Sequence, residues 1–284
     1  MPAGPVRKPA VAGKFYAGSL SELTAQIEEC FLGPLGPGTL PECDSRGPRE
    51  IAGLVCPHAG YVFSGPTAAH AYLALADDGC PEVLVVIGLN HGRGGFVSAV
   101  QTEGAWQTPL GQVPIEGAIA AAIASALPDF ETDPRALTGE HSLEVQLPFL
   151  QYIYEEALMF VPVMMAAQDF GAARTVGQAV AAALEGRDAV VIASTDMTHY
   201  QSPATARQQD ALLIRRIEAL DPEGLIAERD ARRISMCGAG PVAATLVAAE
   251  ALGATNVESL SYSTSGDVMP SDQVVGYYAA AIRR

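Results

Sequence analysis

Three short apolar runs, each closing on a turn that carries a histidine, constrain the fold of this chain more than any other feature. Ile51–Cys56 (IAGLVC) leads into Pro57-His58-Ala59-Gly60-Tyr61, and Glu82–Ile87 (EVLVVI) leads into Gly88-Leu89-Asn90-His91-Gly92. Ala189–Ala193 (AVVIA) leads into Ser194-Thr195-Asp196-Met197-Thr198-His199-Tyr200. A continuous, β-branched apolar run bounded by Gly or Pro suits a strand buried on both faces of a parallel sheet. Parallel strands need helical crossovers. Alanine-rich segments supply them: Pro66–Ala76, with its proline near the helix start, then Ile115–Ala126, Ser142–Glu155, Gly171–Leu184, Ala204–Ala219 and Gly238–Ala251. Met159–Val163 reads as one more strand. Ahead of these, Ser19–Phe31 reads as a helix, capped by Ser19 or Ser21, with Leu23, Ile27 and Phe31 spaced by four. Residues 33–49 are too rich in Gly and Pro for anything but an irregular loop. Gln273–Ile282 alternates enough to be a sheet edge or a partly exposed strand. The reading is an α/β fold, a largely parallel sheet covered by helices, in a single domain over residues 1–284.

Composition narrows the partners. With 49% hydrophobic and 17% charged residues the chain can build a core and is not of disordered type. Its 32 acidic against 17 basic residues, net −15, exclude the basic face that nucleic acid requires. No apolar run approaches the roughly 18 residues of a membrane span, and the opening residues lack the apolar stretch of a signal peptide. A cytoplasmic protein is expected. The five cysteines (Cys30, Cys43, Cys56, Cys80, Cys237) are scattered without CxxC spacing, so free thiols are expected rather than a disulfide framework.

In open α/β sheets ligands collect at the carboxyl ends of strands. His58, His91 and His199 all follow such ends, and the glycines beside His58 and His91 permit tight turns. We expect His58, His91, His141 and His199, with Asp196 and Cys237, to converge on one polar pocket able to hold a metal ion. His141 precedes a helix that either Ser142 or Thr138 can cap, and either His141 itself or Glu144 and Gln146 beside it would join the pocket. Cys237 lies in a Gly-rich turn before a helix, where a thiol pKa is lowered. His70, in an alanine-rich helix, reads as structural or surface. Two imidazoles with a carboxylate favour non-haem Fe(II), and with a thiolate as third donor Zn, Fe and Cu all become open. Spare His and Asp groups would orient ligands or move protons.

These residues also carry a resemblance. Ala12-Gly13-Lys14-Phe15-Tyr16, Pro57-His58-Ala59-Gly60-Tyr61, Gly88-Leu89-Asn90-His91 and Glu140-His141-Ser142-Leu143-Glu144 occur in order, followed by Ser194-Thr195-Asp196 with His199-Tyr200, then Cys237-Gly238, then Ser261-Tyr262-Ser263 with Gly276-Tyr277-Tyr278. Over nearly its whole length the chain resembles the Memo family, whose members are similar in fold to class III extradiol ring-cleaving dioxygenases. The resemblance implies an α/β/α sandwich around a mixed, largely parallel sheet with a pocket at one end. It places His58, His91 and Cys237 as metal ligands, Asp196 and His199 as an acid and a histidine close to the site, and His141 as another pocket histidine. It makes Fe(II) the first choice of divalent ion, with Cu or Zn as alternatives. Bacterial and archaeal members are associated with a radical-SAM protein and an AMMECR-type protein, which implies a shared pathway.

Three functions follow as competing expectations. The first is a non-haem iron-dependent oxidoreductase or dioxygenase, with His199, Asp196 and His141 handling protons around a small-molecule substrate. Cys237 standing where extradiol enzymes have a carboxylate departs from that pattern. The second is a hydrolase or transferase using a metal-activated water or Cys237 as nucleophile. The third is a non-catalytic adaptor binding a peptide in the metal pocket, with Phe15, Tyr16, Tyr61 and Trp106 lining the groove.

Overall fold

The computed structural model describes residues 4–43, 46–92, 97–155 and 158–284. Residues 44–45 of the expected 33–49 loop lie outside this range, as do the first three residues of the chain.

The main sheet is built from β2 (Ile51–Cys56), β3 (Val83–Leu89), β7 (Phe160–Met165) and β8 (Ala189–Ser194), extended at its edges by β4 (Ala99–Val100), β10 (Asn256–Thr264) and β11 (Val274–Arg283). Its order is β10-β11-β2-β8-β3-β7-β4, with β9 (His199–Gln201) paired to β11. The four central strands run parallel, whereas β11, β10 and β4 join antiparallel, so the sheet is mixed with a parallel centre. Every residue of β2, β3, β7 and β8 is buried, as their unbroken apolar runs require. A separate small sheet joins β1 (Val6–Arg7), β5 (Ala105–Thr108) and β6 (Gly111–Pro114).

Helices form two layers. α1 (Leu20–Leu32), α2 (Tyr61–Asp78) and α4 (Leu147–Tyr154) pack together, with α2 against β2, β10 and β11. α5 (Phe170–Ala183) and α8 (Ala239–Ala251) pack on each other, with α8 against β2, β3 and β8 and α7 (Pro222–Arg232) behind it. α3 (Gly117–Ala126), α6 (Pro203–Glu218) and the short α9 (Ser265–Val268) complete the structure. The result is an α/β sandwich, as expected. Among the described residues, no helix is long and apolar enough to cross a membrane.

Several expectations need correction. The helix expected from Pro66 begins at Tyr61 and carries Pro66 inside it. The first helical N–H, that of Tyr61, donates to the Phe15 carbonyl at 2.7 Å, and Pro66 removes a single helical bond, the one to the Val62 carbonyl. The last strand is not a sheet edge: β11 lies between β2 and β10, and its run Ala279–Ala281 is fully buried where α2 and α8 approach. The edge is β10, a partly exposed strand whose exposed residues lie in its first half. Cys43 and Cys80 form a disulfide across a separation of 37 residues, against the expectation of free thiols. Their spacing carries no signal, because the pairing depends on the loop returning to the end of α2, where the Arg49 guanidinium pairs with Asp78 and Asp188.

Candidate metal centre

The parallel register sets Cys56 beside Ser194 and Ile87 beside Ala193, so the turns after β2, β8 and β3 leave the sheet side by side. This places His58, Asp196 and His91 around one point, and the turn before α8 brings in Cys237.

The hydrogen bonds of His58 determine its tautomer. Ser194 Oγ is 2.6 Å from the Ser142 carbonyl, which can only accept, so the hydroxyl proton points there. The same oxygen accepts from Gln146 Nε2 at 2.8 Å and from His58 Nδ1 at 2.9 Å. His58 Nε2 is therefore the unprotonated nitrogen, and it lies 3.2 Å from Cys237 Sγ. Burial, then the charge of His91, pushes the His58 pKa down to about 3, so the ring is neutral at ordinary pH. Its main-chain N–H donates to Asp196 Oδ1 at 2.8 Å.

His91 shows the same arrangement with a carboxylate. Its Nδ1–H donates to Glu140 Oε1 at 2.9 Å and its main-chain N–H to Oε2 at 2.8 Å, which leaves Nε2 free. Glu140 is fully buried and also accepts the N–H groups of His141 at 2.8 Å and Ser142 at 2.7 Å. Burial alone would raise its pKa, but the hydrogen bonds and charge of His91 outweigh it and hold the carboxyl well below the usual range.

His141 stacks on His91 with ring centres 4.3 Å apart and packs on Phe15 at 4.7 Å. Its Nδ1 is buried without a hydrogen bond among the described residues. Neither capping expectation for this segment holds. Ser142 Oγ instead bridges the Leu89 N–H and carbonyl, at 3.2 and 3.1 Å, while Thr138 ends a 3-10 turn over Pro134–Leu137. Of the two neighbours expected to join the pocket, Gln146 reaches His58 through Ser194. Glu144 lies behind it, accepting from Arg7, Ala10, Val11 and Tyr16.

Asp196 is buried, with Oδ2 3.9 Å from His58 Nε2. Burial raises its pKa against the opposing hydrogen bond from His58 and the charges of His199 and His141. Cys237 departs from expectation: burial and the Asp196 charge raise its pKa, although the Asp196 N–H donates to the sulfur at 3.2 Å. The helix end does not produce a free thiolate here, and a cation is what would draw off the proton. His199 is half-buried at the rim. Its Nδ1–H is shared between the Met197 and Ser235 carbonyls at 2.8 and 3.0 Å, and its charge is felt at His58 and Asp196.

Ligand atoms of His58, His91 and Cys237 lie within 4.8 Å of one another. Two imidazole lone pairs, freed by the bonds on the opposite nitrogens, and one sulfur form a donor set that fits a divalent transition ion. His91, Glu140 and His141 are equally close, but the Glu140 oxygens are already taken by N–H donors, so that group reads as support for the first. His70 bonds the Leu35 carbonyl away from the pocket. Of the aromatic groove expected, only Phe15 touches a pocket histidine; Trp106 is buried beneath the Arg7 guanidinium and against Phe160. Sequence reasoning overlooked Glu140 and Ser194 as partners of the imidazoles. Their positions, next to His141 and at the end of β8, were the available signal.

The fold and this cluster define an α/β sandwich that gathers histidines and a cysteine at the carboxyl ends of its parallel strands. A family model described as Memo-like protein matches residues 7–281, and the chain belongs to that family. It is 50% identical over 281 residues to a MEMO1 family protein of Methanopyrus kandleri, covering 98% of this chain and 99% of that one. It is 48% identical over 276 residues to a MEMO1 family protein of Methanothermobacter thermautotrophicus, covering 96% and 98%. Among solved structures it is similar to the uncharacterized protein JW3007 from Escherichia coli K12, with a TM-score of 0.51 over 82% of this chain and 99% of that one. At 13% identity that likeness concerns the fold alone.

Proposed function

We propose that this chain is a metal-dependent oxidoreductase whose ion is held by His58, His91 and Cys237, with Fe(II) preferred over Cu or Zn. The observation that carries the reading is that both imidazoles commit their Nδ1 protons elsewhere, leaving Nε2 free, while ligand atoms of both rings and of Cys237 lie within 4.8 Å of one another. When bound, such an ion supplies Lewis acidity and one-electron redox chemistry. The chain's own groups supply proton handling. Asp196, its Oδ2 3.9 Å from His58 Nε2, is placed to accept or return a proton beside the centre. His141, stacked on His91, adds a third imidazole beside the centre that can take part in proton transfer. His199, oriented through Nδ1, keeps Nε2 available at the rim.

The test is metal analysis of protein purified without oxygen, wild type beside Cys237→Ala, followed by oxygen uptake with catechol-like substrates. Stoichiometric iron in the wild type, lost from the variant, is expected. A wild type that holds no ion, or a variant that retains it fully, overturns the assignment. Iron without oxygen uptake overturns the extradiol-type activity while leaving the metal site.

A further inference from the structure

We infer that Glu140 is the positioning residue of this centre, a single carboxylate that aims His91 at the ion and sets His141 beside it. The inference rests on the metal-centre reading above and concerns the group that makes it work.

Glu140 grips His91 twice, by the main-chain N–H at Oε2 and by Nδ1–H at Oε1, so ring and backbone are referenced to one rigid group. An ionised carboxylate can only accept. Of the two neutral forms of His91 the pairing admits only Nδ1–H, which leaves Nε2 with its lone pair. Turning the ring over would set a carbon against Oε1 and forfeit the bond. The same Oε1 accepts the N–H groups of residues 141 and 142, which fixes the turn from which the His141 ring stacks on His91, 24° from parallel. Glu140 is itself anchored, its carbonyl accepting from Arg7 Nη2 at 2.5 Å. Carboxylates bonded to a ligating imidazole in this way typically govern metal affinity by 10- to 100-fold. Glu144 offers an internal comparison. It is equally buried and saturated by donors, but those donors belong to Arg7, Ala10, Val11 and Tyr16 and include no histidine.

The experiment has two readouts, the nitrogen-15 shifts of the His91 ring in metal-free protein and Zn(II) affinity by chelator competition. Wild-type His91 is expected in the Nδ1–H form. In Glu140→Gln the amide nitrogen must face an N–H donor. With its oxygen at the Oε1 position, which meets three donors, the Gln keeps the His91 tautomer, whereas Glu140→Ala, which leaves no acceptor, should give a mixture of tautomers and a Zn(II) affinity lower by about 10- to 100-fold. Glu140→Asp should keep the tautomer and recover part of the affinity. Glu144→Gln should lower the melting temperature yet leave the His91 tautomer unchanged. An Nε2–H form of His91 in the wild type overturns the proposal even if no variant folds. An unchanged tautomer in Glu140→Ala, or an equal loss of Zn(II) in Glu144→Gln, does so as well. A wild type with the expected tautomer but no affinity for metal instead overturns the functional reading.

Discussion

Acid should destabilise the metal-free protein well above the carboxylate range, because its pocket histidines are buried uncharged. His58 and His141 are both pushed down from 6.5 to about 3, chiefly by burial and then by neighbouring histidine charge. Between those values the unfolded chain binds protons that the folded chain refuses, so stability falls as pH drops from 6.5 toward 3. At pH 5 each ring withdraws about 2 kcal/mol relative to pH 8, from the 1.36 kcal/mol carried by each pKa unit. The pair together withdraws about 4 kcal/mol, the sum of the two, because at pH 5 neither ring is appreciably protonated in the folded chain. Glu140 adds nothing in this window, since a lowered carboxyl pKa costs stability only below the unfolded value of 4.5. Asp196 has a raised pKa and so acts in the opposite direction, gaining stability as pH falls and offsetting part of the loss. Urea unfolding of chelator-treated protein at pH 8 and pH 5 measures the difference. His141→Phe keeps an aromatic ring between Phe15 and His91 but cannot titrate, and should remove about half of the pH-dependent loss. Equal stability at the two pH values, or an undiminished loss in His141→Phe, would refute the reasoning.

Two further outcomes are expected. Opening the Cys43–Cys80 bridge by Cys80→Ser should cost about 4 kcal/mol on a chain-entropy estimate for its 37-residue separation, read as a lower urea midpoint than the oxidised wild type. Equal midpoints would show that the bridge constrains little. Gly88→Ala should be destabilising by about 1–3 kcal/mol, because an added Cβ would lie 2.6 Å from Ser142 Oγ and 2.7 Å from a Leu143 methyl. Ser142 also supplies the carbonyl that orients Ser194 toward His58, so the same variant should retain less metal during gel filtration, and full retention would separate packing from the site.

The local signals and the tertiary facts divide along a physical line. Hydrophobic periodicity reports whether a segment has one buried face, two or none, and it does so within a window of about ten residues. That is why β2, β3 and β8 were legible from IAGLVC, EVLVVI and AVVIA, and why the histidines behind them could be placed at one end of a parallel sheet. The same rule failed for β10, whose alternating polar residues suit an exposed edge but resemble a loop. It failed for β11 too, since small residues that let helices approach closely look only weakly apolar.

By itself the sequence determined the fold class, the ends of the central strands and the identity of the residues grouped near His58. The tertiary structure decided which hydrogen-bond partner each of them has. Burial reversed the expectation for Cys237, raising a thiol pKa that its helix-end position argues should fall. Glu140 and Ser194 became the groups that set two imidazole tautomers through contacts 49 and 136 residues apart in the chain. A hydrogen-bond donor's partner is fixed by which distant segments pack together, and local periodicity holds no record of that.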